Sequence, residues 1–214
     1  MKLKRTIRTI APIAAMMVAG VVLSDTYRGL KELPPKARTE MVTPLTGTET
    51  TVNDKALPEK LAVPEIVIYK SRRRLELYDG QTLLRVHRIV LGGQPVGDKK
   101  REGDGATPEG TFFVCTKNAQ SRYDRFLGLS YPNVEDAARG LKAGLISQAQ
   151  FGVIKKAMEQ GVRPPWDTKL GGQIGMHGGG VERDWTQGCI ALTDEAIEEM
   201  FDAVPYGTVV VIKP

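Results

Sequence analysis

IGMHGGGVERDWTQGCIALTDE, residues 174–195, holds one of the two histidines and one of the two cysteines in a chain of 214 residues. His177 and Cys189 stand twelve positions apart within it. Cys189 follows Gly188 and opens the apolar run Ile190-Ala191-Leu192. That is the pattern of a nucleophile at a loop-to-strand or loop-to-helix junction, where glycine lets the backbone approach a substrate closely. A thiol attacks once a neighbouring imidazole takes its proton, and His177 is the local candidate. Gly178, Gly179 and Gly180 would let the histidine's loop fold back over the cysteine.

Blander readings compete. A lone cysteine in an apolar run is more often a small core hydrophobe, and a lone histidine more often a satisfied structural residue. Cys115 supplies the contrast. It lies in Thr111-Phe112-Phe113-Val114-Cys115, with no polar residue or glycine immediately before it, and reads as core where Cys189 reads as reactive. A Cys115–Cys189 disulfide is the second alternative in an exported chain. A zinc site is disfavoured, because neither CxxC nor HxxxH spacing occurs, and no metal is expected.

Lys2, Lys4, Arg5 and Arg8 precede the apolar stretch Ile10–Leu23, which is broken mainly by Pro12 and Gly20. A basic segment followed by an apolar one too short for a comfortable membrane span reads as a signal peptide or N-terminal membrane anchor over residues 1–24. Removing it would take the formal charge from +5 to about +1. The basic balance is therefore a targeting feature, and no nucleic-acid partner is expected. The cluster Lys70-Ser71-Arg72-Arg73-Arg74 reads as a solvated strand edge or turn rather than a contact to an anionic polymer.

Residues 25–62, with Pro34, Pro35, Pro44 and Pro58 among Thr, Glu and Lys, read as a flexible linker. Order is expected from about residue 63 to 214. Ile66–Tyr69 and Leu75–Tyr78 flank the basic turn as a hairpin, Leu83–Leu91 alternates as a further strand, and Thr111–Thr116 returns to strand character. Between Val134 and Gly161, Ala137, Ala138, Leu141, Ile146, Ala149, Val153 and Ala157 recur at helical spacing. Gly140, Gly144 and Gly161 divide this segment into two short helices, a helical insertion over 134–163 expected beside the Cys189 groove. Thr193 is a natural cap for a helix that starts with acids, and Val204–Val211 ends in an apolar strand. The fold class is mixed and mainly β, sandwich-like, with small helices.

Taken in order, KSRRRLELYDG (70–80), GDKKREGDGATPEGTFFV (97–114), LSYPN (129–133), IGMHG, DWTQGCIAL and GTVVVIKP (207–214) resemble the L,D-transpeptidase catalytic domain (YkuD-type) family over about residues 64–214. The resemblance implies that Cys189 is the nucleophile, His177 the base, and the Gly178 carbonyl the group orienting the imidazole. It further implies an oxyanion hole from the Gly188 and Cys189 amides, with substrate contacts at Tyr131, Trp185 and Thr186. Two positions depart from the family's usual pattern: Gln187 stands where a second histidine is common, and Ala191 where an arginine is common.

The reaction so implied is acyl transfer on peptidoglycan stem peptides, between diaminopimelate and D-alanine, with no cofactor. The acceptor would be a second stem peptide, an envelope lipoprotein or water, the last giving L,D-carboxypeptidase action. The implied location is the periplasm or cell envelope, with the inner membrane met only through residues 1–24 if they are uncleaved. A non-catalytic cell-wall-binding module is the competing class. A secreted cysteine protease fits less well, since its histidine is usually distant from a helix-borne cysteine.

Overall fold

The computed structural model describes residues 55–214, so the expectations for 1–24 and for most of 25–62 lie outside the described residues. Eight strands make one sheet: β1 Pro64–Tyr69, β2 Arg74–Asp79, β3 Thr82–Arg88, β4 Gly110–Ser121, β5 Asp124–Leu129, β6 Gly175–His177, β7 Ile190–Ala191 and β8 Val209–Lys213. Their spatial order is β3-β2-β1-β8-β4-β5-β6-β7. The helices are α1 Val134–Lys142, α2 Gln148–Glu159 and α3 Asp194–Ala203.

The expected hairpin is present and β3 extends it into a meander, with Ile66 opposite Leu77 and Leu75 opposite His87. β8 runs parallel to β1, Ile66 facing Val210. The twelve-residue β4 pairs with β8 through Gly110–Phe113 and with β5 from Val114 onward, so it belongs to both halves of the sheet.

Successive side chains of a strand point to opposite faces, and β4 uses both. Phe112 and Val114 join the main core with Ile66, Leu75, Leu127, Val210 and the buried face of α3, Ile197 and Met200. Phe113 instead joins Ala137, Ile146, Ile154, Met158 and Leu170 in a second cluster beneath α1 and α2, against which Cys115 packs half-buried. Each fully buried Leu, Ile or Phe contributes roughly 1.5–3 kcal/mol. The helices start where their caps dictate. Asn133 and Ser147 form reciprocal capping boxes with Asp136 and Gln150, and Thr193 caps α3 as expected.

The basic cluster at 70–74 is not a solvated turn. Lys70 is 2% exposed, and its ammonium donates to the carbonyls of Gly97 and Thr107 and to Glu109 Oε1. All three of its protons are thereby engaged in holding the 97–109 loop. Arg73 grips Asp184 through Nε at 2.9 and 3.2 Å. The Asp184 carboxylate also accepts from the Leu91 amide at 2.9 Å. Only Ser71 and Arg72 of the cluster are exposed. Among the described residues, no helix is long and apolar enough to cross a membrane.

Candidate active site

His177 ends β6 and Cys189 immediately precedes β7. These strands pair in parallel, Met176 with Ile190 and His177 with Ala191. Continuing that register by one residue sets Cys189 opposite Gly175, on the same face as His177 because side chains alternate. Both line a groove of about 680 Å³ with Lys99, Tyr123, Trp166 and Trp185.

The imidazole is fixed from several sides. Its Nδ1 lies 2.6 Å from the Gly178 carbonyl oxygen. A carbonyl only accepts, so Nδ1 carries the hydrogen and Nε2 keeps its lone pair. Tyr123 stacks on the ring with centroids 4.7 Å apart, and Trp185 meets it edge-on at 5.5 Å. The following loop is tied down by the Gly178 amide to the Tyr123 carbonyl (3.0 Å), and by the Gly179 amide to Asp194 Oδ1 (2.8 Å). Burial, opposed by the Gly178 hydrogen bond and assisted by the Arg122 charge, lowers the affinity of His177 for a second proton.

Cys189 is half-buried, and its thiol donates to the Gln173 carbonyl at 3.4 Å. Gln173 sits at φ 56°, a left-handed backbone unusual for its type. Burial pushes the Cys189 thiol up, against the opposing pull of the Gly175 amide and the Lys99 charge. Both effects favour the uncharged form of each group, thiol and imidazole. Cys115 is also free, its thiol pushed up to about 12 by burial. The two cysteines form no disulfide, and Cys115 packs under the helices as a half-buried rather than a fully buried residue.

Gly188 has φ 128°, and a Cβ there would lie 2.7 Å from the Ala106 carbonyl oxygen, so only glycine fits. Its amide donates to Thr186 Oγ1 at 3.1 Å, while that hydroxyl donates to the Cys189 carbonyl at 2.7 Å. The Gly188 amide, one of the two expected oxyanion donors, is thus already engaged by Thr186. Thr186 borders the groove but uses its hydroxyl to close the nucleophile's loop.

Trp185 lines the groove. Tyr131 does not. It is fully buried, donating to the Leu170 carbonyl at 3.0 Å and tilted against Phe112. The expectation that it meets substrate gives way to a role inside the core. The helices α1 and α2 do not line the groove either; the wall is made by the segment that follows them, through Trp166, Gly171, Gly172 and Gln173. Sequence reading missed Tyr123 and Lys99. Tyr123 sits in a charged turn, and Lys99 in a run of charges, where nothing marks either as inward-facing. Among the described residues, no group of three or more His, Cys, Asp or Glu side chains could hold a metal ion.

The profile of the YkuD family, the L,D-transpeptidase catalytic domain, matches residues 64–212. Among curated proteins, the chain is 27% identical over 145 residues to YafK of Escherichia coli (strain K12), itself provisionally named an L,D-transpeptidase. That alignment covers 65% of this chain and 46% of YafK, so the chain spans about half the length of the curated relatives it matches. Among solved structures, the helical cell shape determining protein Pgp2 of Campylobacter jejuni aligns with 24% identity and a TM-score of 0.49, over 71% of this chain and 47% of that one. An L,D-transpeptidase of Xylanimonas cellulosilytica aligns with 14% identity and a TM-score of 0.44, over 74% and 64%.

Proposed function

The chain belongs to the L,D-transpeptidase catalytic-domain family, and from that premise we propose that it is a cysteine acyltransferase acting on peptidoglycan stem peptides at the diaminopimelate–D-alanine bond. The observation that carries the reading is the His177 ring, held by Gly178 with its free nitrogen available, on the strand beside Cys189 and in the same groove.

As substrate enters, Nε2 of His177 takes the Cys189 proton while the sulfur's electron pair forms a bond to the carbonyl carbon. The carbonyl π pair moves onto oxygen, where the Cys189 amide donates to it. Collapse of this intermediate breaks the C–N bond, the leaving amine takes the proton from His177, and a thioester remains. An acceptor amine then gives its proton to His177 as it attacks the thioester, and Cys189 leaves with that proton restored. Because both resting groups favour their neutral forms, proton transfer accompanies attack instead of preceding it.

A second stem peptide is the acceptor for cross-linking, and an envelope lipoprotein amine or water completes the same cycle differently. Residues 1–24 would carry the protein to the periplasm or cell envelope. Incubating the protein with purified muropeptides and weighing the products tests the reading. Loss of D-alanine with cross-linked product supports transpeptidation, and loss with tetrapeptide trimming to tripeptide alone supports hydrolysis. Stem peptides left intact, with no mass added to Cys189 by a carbapenem, would favour a binding module.

A further inference from the structure

Lys99 and Lys70 both insert an ammonium into the 97–109 region, yet they are used differently. Lys70 has all three protons engaged by protein oxygens. Lys99 is equally hidden, 3% exposed, but Asp104 Oδ1 at 2.8 Å is its one hydrogen-bond acceptor among the described residues. An ammonium has three donors. Its Nζ stands 6.0 Å from the centre of the Tyr131 ring on one side; on another it lines the groove that holds Cys189, 3.5 Å from where a Cβ on Gly188 would lie. Meanwhile the neighbouring backbone donor, the Gly188 amide, is taken by Thr186.

We infer that Lys99 is the fixed cation of this active site, stabilising the negative charge that develops on the Cys189 sulfur and passes to the attacked carbonyl oxygen. The inference rests on the acyl-transfer reading above. Lys99 exchanges no atom with substrate. It acts through its field, which is strong because the ammonium is buried and its position is preset. Asp104 sets that position. Its carboxylate accepts from the amides of Lys100, Arg101 and Ala106 as well as from Lys99. The Lys99 charge favours the thiolate of Cys189, in line with this geometry. The other charged or titratable groups facing Cys189 are Glu102 of the same loop, Arg122 and Tyr123 of the β4–β5 turn, and His177 of β6.

The test measures alkylation of Cys189 by iodoacetamide against pH, by intact mass, in a Cys115→Ala background. This small neutral probe requires no peptidoglycan chemistry, so its result stands whether or not muropeptides are turned over. Lys99→Met is expected to raise the pH midpoint by about one unit and slow alkylation at neutral pH about tenfold, with Lys99→Arg restoring most of the rate. Asp104→Asn keeps an acceptor oxygen but removes the counter-charge, so the midpoint should move the opposite way, downward. A lysine that merely braces the loop predicts losses in the same direction for both variants, or no shift in midpoint for either, and each result overturns the inference. If Lys99→Met does not fold, Asp104→Asn decides alone: a lowered midpoint supports the assignment, an unchanged or raised one removes it.

Discussion

Replacing Gly178 with alanine tests how the base is aimed. A Cβ at 178 would lie 2.3 Å from Asp194 Oδ1, 3.1 Å from the Tyr123 carbonyl oxygen and 3.2 Å from Ile197 Cγ2. The first distance is far inside contact, so something must move. If the Asp194 carboxylate swings away, the Gly179 amide loses its 2.8 Å acceptor, a charge-assisted bond whose removal costs about 1.5–3 kcal/mol. If the backbone moves instead, the carbonyl that holds His177 Nδ1 at 2.6 Å moves with it. Crowding a packed site costs about 1–3 kcal/mol by itself. The expected loss is therefore about 2–3 kcal/mol in urea unfolding, and roughly 5–9 °C in Tm for a domain of this size. Acylation of Cys189 by a carbapenem, followed by intact mass, should slow on the order of a hundredfold, since a displacement near 1 Å at a catalytic group has that effect. Gly152→Ala is the control. Nothing lies within 4 Å of its Cβ position on α2, so helix propensity should stabilise it by about 0.5–1 kcal/mol. A Gly178→Ala protein that is destabilised but acylated within threefold of the parent rate would refute the orienting role of that carbonyl. One that is neither slower nor less stable would refute the packing itself.

Cys189→Ala should abolish turnover with Tm essentially unchanged, whereas Cys115→Ala should remain active; equal inactivity of the two, measured on muropeptides, would break the division between them. The Cys115 thiol, pushed up to about 12, should resist iodoacetamide at pH 8 in the folded protein, as peptide mapping would show. His177→Ala should lose most acylation at neutral pH and regain part of it as the pH is raised toward the thiol's own ionisation, about 8.5 in unstructured peptides. No recovery in a folded variant would assign the histidine to positioning alone. Asp104, lowered to about 2 by its Lys99 and backbone partners against the opposing effect of burial, has a folded pKa below its ordinary value of 3.8. Its contribution is complete above about pH 5 and is lost as the pH falls through 4 toward 2. After discounting for solvent screening, urea unfolding of wild type against Asp104→Asn should differ by about 1–2 kcal/mol more at pH 6 than at pH 2.

The strands β1 to β3 and the apolar β8 are legible in the sequence, and so is the Thr193 cap of α3, because these signals are local; sequence reading missed the Asn133 and Ser147 caps of α1 and α2. β5 is not legible. Asp124-Arg125-Phe126-Leu127-Gly128-Leu129 opens on charges and contains a glycine, and only pairing with β4 and β6 makes it a strand. At the site, His177 and Cys189 are legible since glycine spacing and chemistry mark them, while the Gly178 carbonyl enters only through the family resemblance. Lys99, Lys70 and Tyr131 are not legible, because burial of a lysine or exposure of a tyrosine depends on what the rest of the chain lays over it. Thr186 illustrates a subtler limit: its position beside the nucleophile could be anticipated, but not that its hydroxyl bonds inward.

The parallel pairing of β1 with β8 has a consequence for how the molecule assembles. Glu65 and Val209 are adjacent in the middle of the sheet yet far apart along the chain. The β1–β3 meander and the β4–β5 hairpin can each form from neighbours in sequence, but neither contacts the other in the sheet until β8 is inserted between them. Closing so long a loop precedes the contacts that reward it, which makes this a slow-folding topology. Until that insertion, two half-sheets present bare edges to whatever surrounds them. The interval before β8 docks is when this protein is most open to aggregation and proteolysis, and a lesion in Val209–Lys213 would prolong it without touching the groove.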